Sequence, residues 1–176
     1  TFLRGDGAWQ AAGGGKIAQV VRTVSNTEFT ITTTMDRDTS IPQISEGTEI
    51  MTAAITPTAA DSILYIECVL PYVAKNSYTE NPISGMMMAL FVDSTANALH
   101  CSPSMPAYFD AEAAQLFPGF LKYSLSAAST TARTYKLRCA TFRNRSSLYL
   151  NRDGAGTPND LGDTTEMLMT VTEVTA

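Results

Sequence analysis

An all-β fold, an antiparallel β-sandwich with jelly-roll-like connections, is what this sequence predicts. Three observations lead there. Apolar residues recur at every second position over most of the chain, no stretch keeps a long helical period, and clusters of Gly, Pro, Asn, Asp and Ser cut the alternating runs at short intervals. About nine or ten strands result, and the missing crossover helices disfavour a parallel α/β sheet.

Residues 1–15 read as a leader that joins an upstream segment to a head formed by residues 16–176. Thr1 is not a start methionine, so the chain is expected to be a fragment or a processed product. Lys16–Val24 is the first strand, and the Ser25-Asn26 turn signal predicts a hairpin to Phe29–Thr33. Asp36–Gly47 reads as a loop with two apolar anchors, Ile41 and Ile44. Glu49–Thr56 alternates with Met51, Ala53 and Ile55 inward. A Pro57–Ser62 connection leads to Ile63–Val73, which is apolar on both faces and therefore expected to be covered on both. Glu67 in its middle becomes a candidate buried or interfacial carboxylate.

Met86–Asp93 is a second strongly apolar strand, with Ala98–Ser102 as a short return. Pro103–Pro118 is the longest irregular stretch, and its Asp110–Leu116 portion has enough helix propensity for a turn or two. Phe120–Ala127 and Arg133–Arg143 follow as strands, the latter with Tyr135, Leu137 and Cys139 inward and Lys136 and Arg138 outward. Ser147–Asn151 is short, residues 153–163 are rich in turn residues, and Thr164–Val174 closes the chain with Met167, Met169 and Val171 on one side.

With 176 residues the chain has room for one self-sufficient core. Charged residues make up 16% against about 25% in a typical soluble domain, which suggests that some surface is hidden against another subunit. A net charge of −5 argues against nucleic acid as a partner, since phosphate binding needs a basic stripe. The local basic excess of Arg133, Lys136, Arg138, Arg143 and Arg145 reads as a solvated strand face. Cys68, Cys101 and Cys139 show no CxxC spacing; Cys68 and Cys139 fall in apolar patterns and read as buried thiols. No apolar run of about 18 residues is present, so no membrane insertion is expected.

Several stretches resemble the terminal head of bacteriophage tail-fibre and tail-spike proteins. FLRGDGAW (2–9) resembles the segment that introduces that domain, and KIAQVVRTV (16–24) its first strand. AITPTAADSILYIECVL (54–70) resembles its Pro turn and following hydrophobic strand. TYKLRCAT (134–141), LYLNRDG (148–154) and TVTEV (170–174) are similar to its late and closing strands. The pieces occur in the family's order and touch about half of the chain; the middle, Asn76–Ala128, departs from the pattern. The resemblance implies a homotrimeric head at the tip of a virion fibre, made in the bacterial cytoplasm. Its partners would be further copies of itself, the upstream fibre segment and a host surface receptor, with polysaccharide the leading candidate.

A sugar-binding surface calls for exposed aromatics against sugar faces and Asn or Asp for hydroxyls. Asn76, Tyr78, Asn81, Tyr108, Phe109 and Asp110 fit that description, although core packing explains the aromatics equally well. Trp9, Glu67 and Met87 are the candidate trimer contacts. Arg4-Gly5-Asp6 reads as a turn in the junction rather than an adhesive motif. His100 is the only histidine, and neither a catalytic triad nor a metal set assembles around it. The carboxylate pairs Asp110/Glu112 and Asp160/Asp163 read as turn and capping residues, not a glycosidase pair. No enzyme activity and no cofactor are expected. The competing reading is a trimeric connector, decoration or assembly domain of the virion that binds no receptor.

Overall fold

The computed structural model describes residues 2–3, 9–10, 16–36, 38–75, 85–104, 115–142, 147–152 and 165–175. Its strands are β1 (Phe2–Leu3), β2 (Trp9–Gln10), β3 (Lys16–Ser25), β4 (Phe29–Ile31), β5 (Thr48–Ile55), β6 (Ile63–Lys75), β7 (Met86–Val92), β8 (His100–Ser104), β9 (Gln115–Ser126), β10 (Arg133–Thr141), β11 (Leu148–Leu150) and β12 (Met167–Thr175). Every ladder is antiparallel, and no helix occurs among the described residues. The period-two pattern therefore predicted the class and most of the elements.

Two sheets pack face to face. One has the order β5-β10-β7-β8. The other is built on the thirteen-residue β6, which pairs along one side with β9. On its other side β12 covers Ile63–Val69 and β11 covers Val73–Lys75, with β3 beyond β12 and β4 beyond β11. The division has a local cause. Pro71 and Pro118 fall at the register shift between β6 and β9, where neither can donate to a ladder, so the strand bends and changes neighbours. Gly119 follows because a Cβ there would meet the Met86 and Met88 side chains.

Inward residues alternate as predicted. Leu64, Ile66, Cys68 and Leu70 meet Met51, Ala53, Ile55, Tyr135, Leu137 and Cys139, with Met86, Met88, Leu90, Met167, Met169 and Val171 filling the same core. Burial pushes the Cys68 thiol up to about 12 and raises Cys139 well above its ordinary value, so both are inert core thiols.

Several expectations are corrected or narrowed. The predicted hairpin of the first two strands does not form: β3 pairs with β12 and β4 with β11. β9 begins at Gln115, so Gln115 and Leu116, the last residues of the predicted helical stretch, are strand; Asp110–Ala114 lie outside the described residues. Glu67 is not buried in the chain; its carboxylate is half-exposed and pairs with Lys122 across the ladder at 2.6 Å. The second face of β7 needs no other subunit, because the chain covers it itself. Met35 sits over Phe91, Ala89 and Ala140, with Ile44 and Met87 packed alongside, and Met87 is thus half-buried within its own chain.

That cover is a strap between β4 and β5. Met35 N–H donates to the Thr141 carbonyl and Thr141 N–H to the Thr33 carbonyl, Ile44 N–H donates to the Ala96 carbonyl, and Ala98 N–H donates to the Pro42 carbonyl. Arg138, read from sequence as solvated, is only 16% exposed: its Nε donates to the Glu46 carbonyl and its Nη2 to the Gly47 carbonyl, both at 2.7 Å.

Side chains close the two open corners of the sandwich. β8 runs beside β9, where the Ser102 and Ser104 hydroxyls donate to the Phe120 and Pro118 carbonyls. β3 runs beside β5, where the Gln19 amide donates to the Thr56 carbonyl and to Glu173, each at 2.7 Å. Asn151 is fully buried with φ +54°, and its amide donates to the Ser25 and Thr27 carbonyls. Beside it Arg152 reaches Thr30 and Glu28. Asn151→Ala is expected to cost about 2 kcal/mol, from the left-handed backbone and the lost hydrogen bonds, with Asn151→Gly intermediate. Urea midpoints of the two variants check the order; an alanine variant as stable as wild type would refute the assignment.

Candidate functional site: two ends and one face of the sandwich

The ladders fix which connections share an end. Lys75 at the end of β6 is the cross-strand partner of both Gln115, where β9 begins, and Leu148, where β11 begins. Met86, where β7 begins, is the partner of both Ser104, the last residue of β8, and Thr141, the last of β10. Three connections therefore leave and return at one end: residues 76–85, 105–114 and 142–147. Ile63 marks the opposite end, where Val174 pairs with both Ile63 and Ile17, and Lys16 pairs with Thr175. There the chain enters the sandwich from residues 1–15.

Asn76, Tyr78, Asn81, Tyr108, Phe109 and Asp110 belong to the first two of those connections and lie outside the described residues, as do Arg4-Gly5-Asp6, Glu112, Asp160 and Asp163. Sequence reasoning assigned the six residues to separate loops; the ladder partners of their flanking residues show that the two loops arise side by side. Trp9 pairs with Leu3 through the backbone, and its side chain is outside the described set. Arg133 and Lys136, like Arg138, have local acidic neighbours, Asp93 and Glu49, at 3.8 Å each.

The outward face of the six-stranded sheet is the second feature. Paired residues in a ladder share a face, so the registers give four rows across β3, β12, β6 and β9. They are Val24-Leu168-Val69-Phe120, Arg22-Thr170-Glu67-Lys122, Val20-Thr172-Tyr65-Ser124 and Ile17-Val174-Ile63-Ser126. A bulge between Glu173 and Val174 shifts the register by one residue and brings Ile17 onto the same face as Val20 and Val24. Ile17 is 68% exposed, Val20 55%, Phe120 54% and Tyr65 48%. Exposed apolar rows of this kind, with one charged row between them, suit a contact site. Only its β6 portion was legible in the sequence, as the apolar second face of Ile63–Val73. A shallow depression of about 360 Å³ lies in it, lined by Tyr65, Ile66, Glu67, Lys122, Tyr123 and Ser124.

No arrangement for covalent chemistry assembles among the described residues. His100 lies in β8 and stacks on Tyr123 with centroids 5.3 Å apart and rings 13° from parallel. The Cys101 thiol is pushed up by burial and by Glu46 nearby, away from nucleophilic character. Asp38 is held below its usual value by hydrogen bonds from its neighbour Ser40, a local turn. No group of three or more His, Cys, Asp or Glu able to hold a metal ion occurs among the described residues. No described helix is long and apolar enough to cross a membrane.

No protein-family model matches the chain, and no curated protein matches it. Among solved structures it is similar to dimeric latent PorU from Porphyromonas gingivalis, at 11% identity and a TM-score of 0.36, over 93% of this chain and 14% of that one. So loose a likeness transfers neither fold family nor function.

Proposed function

We propose that the chain is the homotrimeric, receptor-binding tip of a bacteriophage tail fibre, entered from the fibre at one end and attaching to a host surface glycan at the other. The observation that carries this reading is the polarity of the sandwich. The connections bearing Tyr78 and Tyr108 spring from cross-strand partners at the Lys75 end, while residues 1–15 join at the Ile63 end. Such a layout suits a domain held at its base and presenting loops outward, and the tail-fibre-like stretches along the chain agree with it.

The nested pairing of β3 with β12, β5 with β10, β6 with β9 and β7 with β8 supports the jelly-roll form of the sandwich. Three modest sites on one rigid head would raise avidity without a deep pocket. The structural alternative, a connector or decoration domain without a receptor, is favoured by the exposed apolar face, which assembly alone explains.

Adsorption of the purified head to candidate host cells, with surface polysaccharide intact or stripped, separates the two. Tyr78→Ala with Tyr108→Ala is expected to lower adsorption at least tenfold while leaving the trimer intact. Full adsorption by the double variant would favour the structural reading.

A further inference from the structure

We draw no further inference here: the strongest candidate, the exposed outward face of the β3-β12-β6-β9 sheet with its shallow depression at Tyr65, Glu67, Lys122 and Ser124, carries nothing because nothing in the structure shows what covers it.

Discussion

Gly47→Ala is expected to lower folding stability by about 3 kcal/mol, one of the two largest effects foreseen for a single substitution. Gly47 ends the strap at φ +68°, a backbone region that costs an L-residue about 1–2 kcal/mol. A Cβ there would also run into the Met35 methyl group and lie 2.9 Å from the Cys139 carbonyl oxygen. Met35 can move aside, but the Cys139 carbonyl belongs to β10 and cannot, which adds about 1–3 kcal/mol of overpacking. For a chain of this length that is roughly a 10 °C fall in Tm. Part of the loss should appear as exposure of Met35 and Phe91, read by faster hydrogen exchange in β7 and β10. A Gly47→Ala protein with wild-type melting would show that the strap does not depend on this close approach.

Glu173→Gln is expected to cost nearly as much, about 3 kcal/mol, and to change the acid limb of the stability curve. Glu173 is fully buried at the β3–β5 corner. One carboxylate oxygen accepts from the Thr58 N–H at 2.8 Å, the Thr58 hydroxyl at 2.9 Å and the Ala59 N–H; the other accepts from Gln19 at 2.7 Å. Burial raises its pKa, but the hydrogen bonds from Gln19 and Thr58 outweigh that and hold it at about 2. An amide would set a donor against donors and lose the charge-assisted bonds, each worth about 1.5–3 kcal/mol.

The sign of the pH dependence follows from the lowered value. The carboxylate's contribution is complete above the unfolded pKa near 4.5 and disappears as pH falls toward 2. Its ceiling is about 3 kcal/mol, from about 1.4 kcal/mol per unit of difference. Urea midpoints of wild type should therefore drop between pH 4.5 and 2 more steeply than those of Glu173→Gln. Parallel curves would remove Glu173 as the cause.

Much of the fold was legible because burial imposed a two-residue rhythm that nothing interrupted. β5, β10 and β12 are cases in point, with Met51-Ala53-Ile55, Tyr135-Leu137-Cys139 and Met167-Met169-Val171 all inward as predicted. What was not legible lies where partners come from far along the chain. Apolar composition on both sides of β6 and β7 looks the same in sequence. Yet Met35 and Ile44 cover β7, while Ile63 and Tyr65 of β6 stay open. The start of β9 was hidden because Pro118 and Gly119 are ordinarily breakers; here they occupy an irregularity that Pro71 creates opposite. Arg138 looked like a surface residue because its acceptors are backbone carbonyls, which no side-chain pattern reveals. The candidate receptor residues were chosen by chemistry alone, and the shared end of the strands that flank them comes from pairing between residues distant in sequence.

The strap over β7 and β10 has a consequence for how large an assembly can grow. A slab with two bare greasy sides can stack on itself without limit, each new layer offering the next a landing place. Here residues 33–47 leave Lys136, Arg138 and the strap's own polar groups on that side. The strap thus leaves the molecule with one bare side in place of two.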